Sequence, residues 1–183
     1  MNLGMFRSLG EFFREHLGRA LHGQRLQASA EIECYLVNLL SDYAHAPLDD
    51  EPLALRYGEA RTAPPQERAQ KLRQVGDQSL YTAGFFADSL ERQLVDVNYY
   101  VTLGASAYRQ LGHRGQRPLG DVFVELGERF DRYVEVLAEV AAATLHRDGD
   151  VVRLYERWLR TGSPTCERQL VARGVRLSRR ASS

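Results

Sequence analysis

The sequence predicts an all-α, single-domain bundle of five or six helices, with a long central helix near residues 77–112. Apolar residues recur at spacings of three and four through that segment and again through residues 121–146, which is typical of helices with one buried face. Strand-like alternation is not convincing in any part of the chain. The length of 183 residues fits one domain. We expect residues 1–172 to form the bundle and residues 173–183 to form a basic, disordered tail.

The charge and cysteine content narrow the class of protein. Twenty-four basic residues balance 24 acidic ones, so no overall field attracts nucleic acid or a membrane surface. Cys34 and Cys166 are far apart and belong to no Cys-x-x-Cys pair, which favours a reducing compartment. Charges interrupt the N-terminal apolar residues, and no window reaches the ~20 apolar residues of a membrane span. These features predict a cytoplasmic protein with no membrane span.

Two amphipathic helices are predicted first. Apolar residues over 3–20 mark the first helix, and Ser29 can cap the second, whose core residues lie between 32 and 43. Cys34 lies beside the apolar stripe of this second helix. We therefore expect a buried thiol there.

Turn signals divide the next part of the chain. Asp49 is a candidate cap for a short helix ending near Tyr57, and Pro65 suits the first position of the following helix. The segment 76–79, Gly-Asp-Gln-Ser, predicts a kink or a break before the long stripe. Asp77 would then cap a new helix.

The predicted central helix carries two different faces. Its apolar stripe consists of Leu80, Ala83, Ala87, Leu90, Leu94, Val97, Val101, Gly104, Tyr108 and Leu111. The opposite face carries aromatic and charged residues about one turn apart, namely Tyr81, Phe85, Asp88, Arg92, Asp96 and Tyr99. A helix with this composition is expected to be covered on both sides.

Three further helices are predicted after the basic loop that follows Gly112. Residues 121–146 repeat the spacing of three and four, and the pair Glu125 and Arg129 indicates a solvated outer face. A shorter helix is predicted over residues 151–159. Pro164, preceded by a serine, suits the first position of the last helix.

The known catalytic and metal-binding motifs do not account for this sequence. Asp42 and His45 form a lone Asp-x-x-His, whereas carboxylate-bridged di-iron bundles need two Glu-x-x-His motifs and further carboxylates. Ser106 follows Gly104-Ala, but the closing glycine of a nucleophile elbow is missing and the segment is helical. No glycine-rich phosphate loop is present. We predict no catalytic residue, no metal site and no cofactor.

The strongest polar arrangement is Asp88, Arg92, Asp96 and Tyr99, at steps of four and three. It is open to three interpretations. The residues could form a solvated charge ladder, or an internal network in which two carboxylates hold Arg92 and fix the helix register. They could instead line a pocket in which Arg92 binds an anionic ligand.

These patterns favour a non-enzymatic cytoplasmic interaction module that forms a homodimer. A second copy would cover the outer face of the central helix, with Tyr81, Phe85, Asp88, Arg92, Asp96 and Tyr99 as the candidate interface or ligand-binding residues. One alternative is a helical-bundle enzyme or a binder of a small anionic ligand that uses the same face. A weaker alternative is nucleic-acid binding through the arginine-rich tail after Glu167, although that tail is short and lacks interleaved aromatic residues.

Overall fold

The computed structural model describes residues 8–44, 51–86, 96–113, 119–147, 155, 158 and 163–172. In these ranges the chain forms eight α-helices and no strand. In chain order the helices are α1 (Leu9–Gly23), α2 (Ala30–Tyr43), α3 (Leu53–Thr62), α4 (Pro65–Phe85), α5 (Val97–Gly112), α6 (Leu119–Glu128), α7 (Phe130–Arg147) and α8 (Pro164–Ala172).

Helix α4 lies at the centre of the bundle. It packs against α2, α3, α5 and α7, while α5 also packs against α6, and α1 packs against α2 and α7. The buried apolar side chains of these helices form one hydrophobic cluster. The prediction of an all-α, single-domain bundle is therefore confirmed, but the described residues form eight helices and not the predicted five or six.

Several helix starts follow the local signals in the sequence. The hydroxyl oxygen of Ser29 accepts a 3.3 Å hydrogen bond from the backbone N–H of Ile32, which caps α2. Pro65 and Pro164 are the first residues of α4 and α8, as predicted. The short third helix is displaced from its prediction, because it runs from Leu53 to Thr62. Asp49, its predicted cap, lies outside the described residues.

The predicted kink or break at residues 76–79 is wrong. Helix α4 runs through this segment without interruption. Gly76 and Asp77 form contacts across the bundle instead of a turn. A Cβ atom on Gly76 would lie 2.5 Å from Cε1 of Tyr108, and the Asp77 carboxylate accepts a hydrogen bond from the same tyrosine. Glycine therefore permits close helix packing here.

The single long helix over residues 77–112 is also wrong. Phe86 ends α4 with φ −115° and ψ 17°, and its N–H bonds to the carbonyl oxygen of Thr82 at 3.1 Å. A separate helix, α5, begins at Val97 after Asp96, which has extended backbone angles. The apolar spacing is the same on both sides of residues 87–95, so periodicity alone could not distinguish one helix from two. Those nine residues lie outside the described ranges, and they include Ala87, Leu90 and Leu94.

The predicted helix over residues 121–146 is two helices, α6 and α7, separated at Arg129. Backbone hydrogen bonds from Arg129 N to Glu125 O (3.0 Å) and from Tyr133 N to Arg129 O (3.1 Å) span the separation. The chain therefore bends instead of forming a long loop. The physical reason is that α6 packs mainly on α5, whereas α7 packs on α4 and α1.

Cys34 is exposed, so the prediction of a buried thiol is wrong. It lies one turn before the exposed Asn38, on the outer face of α2. Within the described ranges, none of the helices has both the length and the apolar character needed to cross a membrane.

Candidate functional site

Two of the predicted interface residues, Tyr81 and Phe85, are covered by the chain itself. The Tyr81 ring stacks between the rings of Tyr43 and Phe85, with centroid distances of 4.9 Å to each and interplanar angles of 17° and 14°. Phe85 also meets the ring of Phe13 edge-on at 6.5 Å. Helices α1 and α2 therefore provide the cover that was predicted to come from a second copy.

The predicted polar ladder does not continue through Asp96. The Asp96 carboxylate accepts a 2.8 Å hydrogen bond from the backbone N–H of Asn98 and caps α5. Asp96 has extended backbone angles, so it precedes α5 as its N-cap and does not lie within a helix. Asp88 and Arg92 lie outside the described residues. The structure thus places Asp96 in a structural role, separate from Tyr81 and Phe85.

Tyr99, the last predicted residue, lies at the surface beside the start of α3. Its hydroxyl oxygen accepts a 2.9 Å hydrogen bond from the backbone N–H of Ala54, and its side chain is 37% exposed. Leu55 is 60% exposed and Phe86 is 37% exposed. Because Gly76 lies against Tyr108 and Ser79 lies against Gly104, α4 and α5 run antiparallel. Phe86 is therefore level with the start of α5.

Leu55, Phe86 and Tyr99 thus occupy the end of the bundle where α4 ends and where α3 and α5 begin. We call these three side chains the α3–α5 patch. Two further large apolar side chains are exposed among the described residues, Leu119 on α6 and Val171 on α8.

A second arrangement, which the sequence did not predict, is centred on Asp77. The Tyr108 hydroxyl donates a 2.7 Å hydrogen bond to Oδ1 of Asp77, and the Tyr35 hydroxyl donates to the same oxygen. Nε of Arg73 lies 3.4 Å from Oδ2 of Asp77. Helices α2, α4 and α5 therefore meet at one carboxylate. We call these four residues the Asp77 centre.

Packing around the Asp77 centre fixes its two phenols. Tyr108 is fully buried and Tyr35 is 8% exposed. The Phe123 ring, from α6, stacks on Tyr108 at 5.5 Å and meets Tyr35 edge-on at 5.4 Å. Aromatic pairs at these separations add to the energy of burial. Gly76 leaves room for the Tyr108 ring against α4. The geometry of the Asp77 centre therefore depends on α2, α4 and α5 together.

Burial dominates the electrostatics of the Asp77 centre. Loss of water raises the pKa of the Asp77 carboxyl above its ordinary value, although the two phenol hydrogen bonds and the Arg73 charge act against this shift. Burial and the neighbouring Asp77 charge raise the pKa values of Tyr35 and Tyr108. Both phenols therefore stay protonated and act as hydrogen-bond donors at neutral pH.

One sequence signal could have identified the Asp77 centre. Arg73 and Asp77 are four residues apart, a spacing that brings them together only if the helix continues through Gly76. The predicted break hid that pairing. The two tyrosines could not have been assigned, because they lie 42 and 31 residues from Asp77 in the chain.

A cleft of about 220 Å³ lies between α1 and α7 and is lined by His16, Arg19, Ala20, Glu139 and Ala143. Its polar groups are engaged within the chain. Nδ1 of His16 donates to the Phe12 carbonyl oxygen at 2.9 Å, and Glu139 accepts from the Gln24 amide at 3.1 Å. The first contact lies within α1, and the second connects α7 to the C-cap of α1. The cleft therefore makes a weaker candidate than the Asp77 centre or the α3–α5 patch.

The fold and these sites define the class of the chain as an all-α bundle with a partly buried ionic centre and an exposed apolar end. No protein-family model, no curated protein and no solved structure matches the chain. Among the described residues, no group of three or more histidine, cysteine, aspartate and glutamate side chains could hold a metal ion. Function is therefore inferred from the geometry of the Asp77 centre and the α3–α5 patch.

Proposed function

We propose that this chain is a non-enzymatic cytoplasmic interaction module that forms a homodimer through the α3–α5 patch. The observation that carries the proposal is the position of Leu55, Phe86 and Tyr99 at one end of the bundle, all exposed. Exposed apolar side chains grouped at one site are typical of interaction surfaces. Tyrosine and phenylalanine are enriched in the cores of such interfaces.

The charge of the chain supports a second copy as the partner. The 24 basic and 24 acidic residues give no net charge at pH 7, so two copies approach without overall repulsion. A twofold interface places the same patch on both subunits and must be self-complementary. An apolar patch meets this requirement, because it needs no opposite charge on the partner.

The Asp77 centre supports a structural role in preference to a catalytic one. Oδ1 of Asp77 already accepts hydrogen bonds from Tyr35 and Tyr108. Their raised pKa values also make the two phenols poor general bases at neutral pH.

Sedimentation velocity and light scattering at high micromolar concentration test the homodimer. We expect the unmodified chain to sediment as a dimer and Leu55→Glu to sediment as a monomer. Leu119→Glu is the matched control, because Leu119 is also exposed (48%) but lies on α6, outside the patch. Circular dichroism would establish that both variants remain helical.

The outcomes separate the alternatives. A monomeric unmodified chain would contradict self-association. A dimer that Leu55→Glu leaves intact, or one that Leu119→Glu disrupts equally, would show that the α3–α5 patch is not the interface.

A further inference from the structure

The guanidinium of Arg73 lies at the surface above the Asp77 centre. Its side chain is 48% exposed, whereas that of Asp77 is 14% exposed. Nε of Arg73 donates a 3.1 Å hydrogen bond to the Tyr35 hydroxyl and lies 3.4 Å from Oδ2 of Asp77. Arg73 therefore contacts a buried carboxylate on one side and solvent on the other.

The contacts of Arg73 use one edge of its guanidinium. An arginine that serves only to neutralise a carboxylate usually presents two parallel N–H groups to it. Here the described polar contacts are made by Nε alone. Among the residues that the structure describes, the four N–H groups on Nη1 and Nη2 bind no protein atom. The edge formed by Nη1 and Nη2 has the geometry that binds two oxygen atoms of a carboxylate or phosphate group.

The side chain of Arg73 is held in place before any ligand binds. Its Cζ atom lies 5.1 Å from the centroid of the Tyr35 ring, so the guanidinium packs over the aromatic face. Tyr35 is itself held by Asp77 and by the edge-on Phe123 ring. A side chain fixed in advance loses less conformational entropy on binding.

We propose that Arg73 is an oxyanion-binding site whose Nη1 and Nη2 groups bind a carboxylate or a phosphate group. Tyr35 and Asp77 are its positioning residues, since they orient the guanidinium without touching the ligand. The site is separate from the α3–α5 patch and does not depend on dimer formation.

Hydrogen-bond geometry provides the recognition, because the charge of Arg73 is already paired with the Asp77 carboxylate. We expect binding to depend weakly on ionic strength, unlike attraction by a cluster of like charges.

Nuclear magnetic resonance of the guanidinium groups tests the site. The full ¹⁵N-labelled chain is titrated with inorganic phosphate and, separately, with acetate at constant ionic strength. We expect the Nε–H signal of Arg73 to shift and saturate with at least one of these anions. The signal of Arg61, an exposed arginine on α3, is the internal control and should not saturate. The comparison of the two anions identifies which oxyanion is preferred.

Two variants test the roles of the residues. Arg73→Lys keeps the positive charge but removes the planar pair of Nη groups, and should weaken binding by about tenfold or more. Tyr35→Phe keeps the ring but removes the hydroxyl that Nε binds, and should weaken binding while circular dichroism remains unchanged. If the Arg73 signal fails to saturate with either anion, or if Arg73→Lys binds as tightly as the unmodified chain, the proposal is overturned. If Tyr35→Phe folds and binds unchanged, the positioning role is overturned.

Discussion

The Tyr108 hydroxyl on α5 donates a 2.7 Å hydrogen bond to Oδ1 of Asp77 on α4, and the tyrosine is fully buried. The same oxygen accepts from Tyr35 on α2. Removing one donor from a buried carboxylate costs more than an average hydrogen bond, because the acceptor is then left less well compensated. The hydrogen bond between Tyr108 and Asp77 therefore couples the packing of α5 to the charge state of the Asp77 carboxyl on α4.

Tyr108→Phe should lower the free energy of unfolding by about 1–3 kcal/mol. Because the aromatic ring remains, the loss of unfolding free energy measures the contribution of the hydroxyl group. Tyr99→Phe is the matched control, since its exposed hydroxyl only accepts a bond from Ala54 N, and should cost less than about 1 kcal/mol. Urea denaturation of both variants provides the measurement. Equal losses in the two variants would indicate that burial of the Asp77 centre does not increase the energy of the Tyr108 hydrogen bond.

The pH dependence of stability should contain a contribution from Asp77. Its pKa in the folded chain is raised above the ordinary value of 3.8, chiefly by burial. Between these two pKa values the folded chain binds more protons than the unfolded chain, so the free energy of unfolding decreases as pH rises through the folded pKa. At pH values below both pKa values, Asp77 is protonated in the folded and the unfolded chain, and the free energy of unfolding does not decrease on its account.

Asp77→Asn should remove this decrease, because asparagine is neutral at every pH and its oxygen can still accept from both phenols. The measurement is the difference in unfolding free energy between variant and unmodified chain across the acidic range. Asp131→Asn, at an exposed position on α7, is the control and should leave the decrease in place. A pH profile that Asp77→Asn leaves unchanged would contradict the raised pKa.

Local sequence signals predicted much of the fold. Ser29, Pro65 and Pro164 mark helix starts because capping and the fixed φ of proline act within one turn. The same local reasoning misassigned Asp77 as a cap. A polar residue beside a glycine is typical of a helix start, and only the packing of α5 shows why the helix continues.

The candidate sites were harder to predict, because they depend on contacts between distant parts of the chain. Tyr81 and Phe85 were predicted to be covered by a second copy, yet Tyr43 and Phe13 contact them from other helices of the same chain. Tyr99 was assigned to the outer face, but Ala54, which donates a hydrogen bond to it, belongs to a helix whose position the sequence left open. Periodicity reports which residues share a face and does not report what covers that face.

Glycine to alanine changes should have opposite effects at two helical positions. Gly76→Ala should lower the free energy of unfolding by about 1–3 kcal/mol, because the new Cβ would lie 2.5 Å from Cε1 of Tyr108. Gly18→Ala in α1 should raise it by up to about 1 kcal/mol, since the new Cβ would meet no atom within 4 Å beyond the backbone of its own helix, and alanine favours the helix. Thermal or urea denaturation measures both. Stabilisation by both changes would show that Tyr108 can move away from α4 at no cost.

The C-terminal end of α1 provides a test of backbone strain. Arg25 has a φ of 51°, in the left-handed region that favours glycine. Hydrogen bonds from Leu26 N to Leu21 O (3.0 Å) and from Arg25 N to His22 O (3.1 Å) complete a Schellman motif.

Arg25→Gly should raise the free energy of unfolding by about 0.5–1 kcal/mol, because glycine adopts this conformation without strain, although its unfolded state is more flexible. Arg25→Ala is the matched control, since it removes the same charged side chain but keeps the Cβ atom. We expect alanine to give no such gain in urea denaturation. Equal stabilisation by both variants would assign the effect to the lost side chain of this exposed residue and not to the backbone.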